Sequence, residues 1–430
     1  MGSKSGTTRS SGGAMQSPRG TRDFYPDAML RRRWVEDTWR SVGTRHGFEE
    51  IDGPRFEHLD LYTVKSGDGI VSELFSFTRH GGSTIFALRP EFTPTVARMV
   101  AARASGLARP TRWFSVGPYF RAERPQRGRL REFLQWNVDI FGDGSARADA
   151  ELVACCVDLL RSLGLTEDRA CIRYSHRGYV QRLLVESGVA ESDIERALGV
   201  LDKREKLKTD AFAREASDVG LDVERFDSLC DGGEPEELRE FEGWCARLGI
   251  GSWCRFDASI VRGLAYYTGM VFEVHESGGK ERAIAGGGRY DDLVGLFGGA
   301  SMEAVGFAMG DVVLGLVLED NGLVPSEDEL REATGQRVDA FVIANEETSE
   351  QLSPTVARLR FEGLHARHSF KATRNIGKLM REASSSGARF VVILETDDEA
   401  TLKDMDNDGA QERMETSKLG AAIKARLEGG

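Results

Sequence analysis

The sequence predicts an α+β domain with a mainly antiparallel sheet flanked by helices, broken by a helical insertion and followed by a small C-terminal α/β domain. Three observations carry this. Apolar runs at 113–119 and 133–141 flank an arginine-rich stretch and read as the two strands of a long hairpin. Residues from about 177 to 249 are charged, helical in pattern and poor in β-branched runs. Beyond about residue 337, strand and helix patterns alternate as βαβαβ, which implies a largely parallel sheet. A chain of 430 residues also exceeds what one core holds, so two or three domains are expected.

In chain order, residues 1–17 are rich in Ser and Gly, show no apolar face and read as a flexible tail. Pro26-Asp27 opens a helix to about His46, with Gly47 as its stop. Residues 48–51 read as a short strand ending at Gly53-Pro54. Residues 63–83 are polar and Gly-rich and read as a mobile loop. A strand at 84–88 and a helix at 93–104 precede the hairpin, and a helix from about 147 to 163 follows it. After the insertion, strand signals return at 269–275 and 283–285. The apolar stretch 311–319 is a helix that closes a unit spanning 18–320. Residues 321–336, polar with one Pro and several acids, read as a linker. The final unit, 337–430, carries strands at 338–344, 364–367 and 388–395, with helices at 349–362 and 375–384.

Composition narrows the function classes. No apolar run is long enough to span a bilayer, so a membrane protein is not expected. The six cysteines form no CxxC pair and have no histidines at zinc-finger spacing, which predicts reduced, mostly buried thiols and no protein metal cage. The expected compartment is the cytosol, and the acid-free tail leaves an organellar address open. A net charge of −12 argues against a general nucleic-acid coat protein, but an enzyme acting on nucleic acid needs only a local basic surface.

Such a surface is present. The hairpin loop holds five arginines between 121 and 131 and a single carboxylate, Glu123. Guanidinium groups this dense repel one another unless a polyanion lies among them, and their forks match phosphate oxygens. The loop suits a phosphorylated substrate, a nucleic-acid backbone, or both. Four other segments carry chemistry. In Leu88-Arg89-Pro90-Glu91-Phe92-Thr93-Pro94 a strand meets a helix; Glu91 and Thr93 either cap that helix or bind an ammonium group. Gln135, Asn137 and Asp139 share one face of the strand leaving the loop and need polar partners, supplied by a ligand or by solvent. Arg262-Gly263-Leu264-Ala265-Tyr266-Tyr267-Thr268-Gly269 sets two phenols beside a cation, with glycines for tight backbone geometry. Ala285-Gly286-Gly287-Gly288-Arg289-Tyr290-Asp291 reads as a strand's end where backbone approaches a ligand, without the Lys-Ser/Thr signature of a phosphate loop.

Taken in order, these segments resemble the class II aminoacyl-tRNA synthetases and, within them, the histidyl family. Phe120-Arg121-Ala122-Glu123 through Arg131-Glu132-Phe133 is similar to the second signature motif of the class. Residues 262–269 and 285–291 are similar to the two histidine-specific motifs. Gly53-Pro54 stands where the dimer-forming first motif falls, and residues 305–310 where the third falls. The resemblance runs from about Gly20 to the C-terminus and implies a class II catalytic domain followed by an anticodon-binding domain. It implies ATP-dependent ligation of L-histidine to its tRNA through a histidyl-adenylate, by a homodimer. ATP would come with Mg²⁺, and no tightly bound organic cofactor is implied.

The same resemblance assigns residues. Arg121 and Arg262 would flank the α-phosphate, where charge grows during activation. Glu123 and Phe133 would hold adenine, and Arg129 the ATP phosphates. Glu91, Thr93 and Gln135 would bind the histidine ammonium, with Phe92, Tyr266, Arg121 and Arg262 also in the histidine site. Asp139 and Tyr267 would pair with the two imidazole nitrogens. Gln126, Arg127 and Arg131 would meet the tRNA acceptor stem, and loop 63–83 would close over the substrate. Two departures stand out. The third motif usually carries an arginine near the start of its helix, and here the helix reads Asp311-Val312-Val313-Leu314. Ala265 stands where the family often has an acid. A non-catalytic relative, the synthetase-like regulatory subunit of ATP phosphoribosyltransferase, shares the fold but usually lacks the anticodon domain. A synthetase for another amino acid is opposed by residues 262–269.

Overall fold

A computed structural model describes residues 15–66, 73–204, 207–230, 233, 235–262, 266–371, 375–407 and 409–429, the side chains of 64–66 excepted. It divides into two compact units. The first comprises Val35–Val324 with the described residues ahead of Tyr25; the second comprises Tyr25–Trp34 and Pro325–Gly430.

The first unit contains, in order, α1 (Pro26–Arg45, shared with the second unit), β1 (Glu49–Glu50), β2 (Phe56–His58), α2 (Asp60–Ser66), β3 (Ser76–Thr78), β4 (Ile85–Leu88), α3 (Thr93–Arg103), β5 (Thr111–Phe120), β6 (Glu132–Phe141), α4 (Ala146–Ser162), β7 (Ala170–His176), α5 (Arg177–Glu186), α6 (Ile194–Leu201), α7 (Thr209–Asp218), α8 (Val223–Cys230), α9 (Arg239–Arg247), β8 (Cys254–Phe256), β9 (Met270–Glu276), β10 (Ala285–Arg289), α10 (Leu293–Leu296), β11 (Ala304–Gly310) and α11 (Asp311–Asp320). Eight strands form one sheet in the order β1-β5-β6-β11-β10-β9-β7-β8. The six central strands pair antiparallel, and β1 and β8 join the two ends in parallel. The predicted arginine hairpin is therefore the β5–β6 pair. β6 is buried along almost its whole length because β5 and β11 pair with it on both sides.

The first-motif segment is tied to this sheet by Arg89, whose side chain has no exposure. It donates to Asp52 Oδ1 (2.7 Å) and to the Pro118 carbonyl (3.0 Å). Its guanidinium lies 4.5 Å from the Tyr119 ring centroid, and Gly117 leaves it room: a Cβ there would stand 2.3 Å from Arg89 Nη2. Trp39 and Trp136 stack at 6.4 Å and bring α1 onto β6.

Several expectations need correction. The glycines 286–288 are the middle of the buried strand β10, not its end. A Cβ on Gly287 would stand 2.3 Å from the Gly306 carbonyl oxygen and 2.5 Å from Phe307 Cβ, so β10 and β11 approach as closely as they do only with glycine there. The expected loop 63–83 holds the end of α2 and all of β3; Leu61, Tyr62, Leu74 and Ala87 bury against one another beneath it. Its residues 67–72 lie outside the described residues. β7 and β8 pass unread in the sequence: β8 has only three residues, and β7 follows the charged run 167–169 and carries Arg173 and His176. In the insertion, α5–α8 enclose a core of their own around Val180, Leu184, Leu198 and Phe226, while α9 packs on α4.

In the second unit the elements are α12 (Glu327–Ala333), β12 (Ala340–Ala344), α13 (Ser349–Phe361), β13 (Ala366–Arg367), α14 (Ile376–Ser385), β14 (Phe390–Leu394), β15 (Glu399–Asp404), β16 (Gln411–Glu415) and α15 (Leu419–Gly429). The expected parallel core is β13-β12-β14. β15 and β16 extend it antiparallel, a mixed edge hidden in the sequence by their charged residues. The expected linker contains α12, opened by a capping box between Ser326 and Glu329. Among the described residues no helix is long and apolar enough to cross a membrane.

Candidate active site

A cavity of about 220 Å³ opens on one face of the large sheet. Its walls come from the start of α3 (Glu91, Thr93), the hairpin (Arg121, Arg129, Phe133, Gln135, Asn137), the segment before β9 (Arg262, Tyr266, Tyr267), β10 and its exit (Gly286, Tyr290) and the β11–α11 junction (Gly306, Gly310, Val312, Val313). The four segments singled out in the sequence thus converge, because β6, β11, β10 and β9 are neighbours in the sheet.

At the start of α3, Glu91 and Thr93 do not cap the helix. No side chain caps that helix, which begins with Pro94 in its first turn instead. Glu91 faces the cavity and accepts a hydrogen bond from the Tyr266 hydroxyl (3.0 Å). Burial raises its pKa above the ordinary carboxylate range, against the opposing pull of Arg121 and Arg262. Nearby, Gln135 Oε1 is buried and has no partner. A buried acceptor without a donor is costly unless a ligand supplies one.

Cations line the same cavity. Arg121 lies 5.2 Å over the Phe133 ring and donates through Nε to the Pro90 carbonyl (3.3 Å). Arg262 has φ +40°, a left-handed backbone that non-glycine residues rarely adopt. Its Nη1 donates to Glu273 Oε1 (2.7 Å), whose other oxygen lies 3.0 Å from His275 Nε2. Burial would lower the Arg262 pKa, but Tyr267 and Glu273 outweigh it and the value rises. Burial would likewise raise Glu273; the hydrogen bond from His275 and the charge of Arg262 carry it down to about 2. Gly286 makes space for the guanidinium, since a Cβ there would sit 2.4 Å from Arg262 Nη1. Residues 263–265, including Gly263 and the departure at Ala265, lie outside the described residues.

Four sequence-assigned groups have other contacts in this structure. Phe92 points into the core, edge-on to Tyr119 at 6.4 Å, and does not line the cavity. Asp139 lies behind the wall: Tyr290 covers it and donates its hydroxyl to Oδ1 (2.5 Å). Glu123 and Arg129, expected to hold opposite ends of a nucleotide, are salt-bridged to each other. Arg131 donates to the carbonyls of Glu123 (3.2 Å) and Arg19 (3.5 Å), so it braces the hairpin instead of projecting outward. Gln126 and Arg127 are exposed as expected, although Arg127 pairs with Glu281 (2.6 Å). At the third motif, Asp311 serves the backbone: Oδ1 accepts from the Leu134 amide (2.8 Å) and Oδ2 from Arg22 (2.7 Å). Sequence reasoning missed Tyr290 and Glu273 as site residues. The alternating polar pattern of β9 was the available signal for Glu273.

Burial raises the Asp139 carboxyl from its ordinary value to about 7, opposed by the Tyr290 hydrogen bond. The folded state therefore holds this proton more tightly than the unfolded chain. Stability from it is complete below about pH 4, falls as pH rises, and is lost above about 7. Asp139→Asn cannot titrate. Denaturation of both proteins between pH 4.5 and 8 should show the wild type losing stability relative to the variant as pH rises. A difference that does not change with pH would contradict the assignment.

Among the described residues no group of three or more His, Cys, Asp or Glu side chains is placed to hold a metal ion.

The family model for histidyl-tRNA synthetase matches residues 20–311. The chain is 40% identical over 407 residues to the histidine–tRNA ligase of Opitutus terrae, covering 89% of this chain and 91% of that one. It is 40% identical over 421 residues to the histidine–tRNA ligase of Haloarcula marismortui, covering 92% and 94%. Its fold matches the crystal structure of histidyl-tRNA synthetase from Nostoc sp. PCC 7120 with a TM-score of 0.73 at 24% identity, covering 96% of this chain and 99% of that one. With these matches spanning the hairpin, the cavity and both units, the chain belongs to the histidyl-tRNA synthetase family.

Proposed function

We infer that the chain is a histidine–tRNA ligase, which activates L-histidine with ATP and passes the histidyl group to its tRNA. The observation that carries this reading is that one cavity holds both buried acceptors and cations. Glu91 and the unpartnered Gln135 Oε1 line it together with Arg121 and Arg262. An amino acid whose carboxylate attacks a phosphate needs both: acceptors for its ammonium and cations for the growing phosphoryl charge.

Glu91, Thr93 and Gln135 bind the ammonium in this reading. Tyr266 orients Glu91 through the 3.0 Å bond. Tyr267 takes one imidazole nitrogen, and Asp139 acts on the other through Tyr290. A site that hydrogen-bonds its substrate so closely leaves buried groups unpaired with the wrong amino acid, worth roughly 10⁴-fold or more in discrimination. Arg121 and Arg262 stabilise the α-phosphate, and Phe133 stacks on adenine. Binding ATP parts Glu123 from Arg129, freeing the first for adenine and the second for phosphate. Mg²⁺ arrives on the nucleotide and neutralises part of its phosphate charge. Gln126 and Arg127 meet the acceptor stem. Residues 18–320 form the catalytic domain, with the insertion at about 177–249, and 337–430 bind the anticodon. The working form is a homodimer in the cytosol.

The test is histidine-dependent exchange of pyrophosphate into ATP with Mg²⁺ present. Exchange that requires histidine is expected, and a folded protein that shows none is not a ligase.

A further inference from the structure

The third-motif helix lacks its arginine, so a phosphate contact has no assigned cation. A Cβ built on Gly128 would lie 3.4 Å from Val313 Cγ2, 3.8 Å from Glu281 Oε2 and 3.9 Å from Arg282 Cδ, and that glutamate is held by Arg127 at 2.6 Å. Arg282 therefore runs past the tip of the hairpin beside the short side chain at the start of α11. It lines one cleft with Arg121, Arg129 and Arg262. The other arginines of that cleft have acidic partners or neighbours: Arg129 pairs with Glu123, Arg262 with Glu273, Arg204 with Asp227, and Arg121 feels the charges of Glu91 and Glu73. Arg282 is exposed, and among the described residues no carboxylate forms an ion pair with it. Burial depresses Arg129 most, and the nearby charges of Arg121 and Arg282 depress it further, so Arg282 faces the same space. A guanidinium with no ion pair of its own, beside other cations, favours an anion of more than one charge.

We propose that Arg282 binds the terminal phosphates of ATP, the part that leaves as pyrophosphate, in place of the arginine absent from α11. This rests on the ligase reading. Exchange without tRNA isolates the contact. Arg282→Ala and Arg282→Gln should raise the KM for ATP by about 10- to 100-fold, as for loss of a charge-assisted contact, and leave the KM for histidine within about two-fold. Adding Val313→Arg to Arg282→Ala should recover much of the loss. An ATP KM unchanged in both single variants overturns the proposal. So does normal exchange combined with impaired tRNA charging, which would place Arg282 on the nucleic acid. A wild type that exchanges while the variants match it refutes only Arg282; a wild type that never exchanges refutes the ligase reading and this proposal with it.

Discussion

Replacing Arg262 with alanine is expected to lower histidine-dependent pyrophosphate exchange by about 100-fold or more, the scale of removing one preorganised charge-stabilising donor. The fold should survive, because the side chain spans a cavity and its partner Glu273 keeps the contact with His275. Three features hold the guanidinium before substrate arrives. Its backbone sits at φ +40°, a conformation costing about 1–3 kcal/mol that surroundings must maintain. Glu273 fixes one nitrogen at 2.7 Å, and Gly286 clears the space it fills. Such a group needs no reorganisation as charge develops on the phosphate. Arg262→Lys keeps the charge but loses the planar fork, so its activity should fall between wild type and alanine. Steady-state exchange at saturating histidine and ATP separates these. A loss of only two- or three-fold in Arg262→Ala would remove it from the catalytic step.

What could be read from the sequence was what depends on local pattern. The β5–β6 hairpin follows from two apolar runs around a charged tip, while the convergence of Glu91, Arg121, Arg262 and Tyr267 was implied by the resemblance to the histidyl family. What could not be read depends on partners across the sheet. Gln135 and Asp139 are four residues apart on one strand face, so period-two reasoning treats them alike. In the structure, Gln135 pairs with Gly310 at the open end of β11 and reaches the cavity. Asp139 pairs with Gly306, where a Cβ would stand 1.9 Å from Oδ1, and Tyr290 closes over it. Likewise, no spacing rule says that Glu123 and Arg129 meet across the hairpin, or that Phe92 turns inward while its neighbours Glu91 and Thr93 turn outward. Charge alternation in β15 and β16 hid strands whose outer faces are solvated. Backbone periodicity sets the face, but depth on that face is set by the neighbouring strand.

The largest stability effect is expected at Arg289, a histidine-motif residue that the geometry assigns to the scaffold. It is buried and does not line the cavity. Nη2 donates to Asp149 Oδ1 on α4 (2.6 Å), and Nη1 to the Asp143 carbonyl and to Asp291 Oδ1 (3.1 Å each). The arginine thus pins β10, and with it Tyr290, to the helix that follows the hairpin. Arg289→Met removes the cation and leaves Asp149 buried without a counter-charge, at a cost of roughly 3–5 kcal/mol. Burial already raises the Asp149 pKa to about 6 despite the attraction of Arg289. Without the arginine it rises further, so the neutral acid becomes the tolerated form. The penalty in Arg289→Met should therefore shrink as pH falls from 8 towards 5. Arg289→Met combined with Asp149→Leu replaces the pair by apolar groups, leaves no buried charge, and should regain most of the lost stability. Urea unfolding of the two variants and the wild type at pH 5 and 8 tests this. A single variant that is as stable as the wild type at pH 8 would show that the pair does not hold the scaffold. A double variant no better than the single one would show that the guanidinium's bonds to backbone, not its charge, carry the effect.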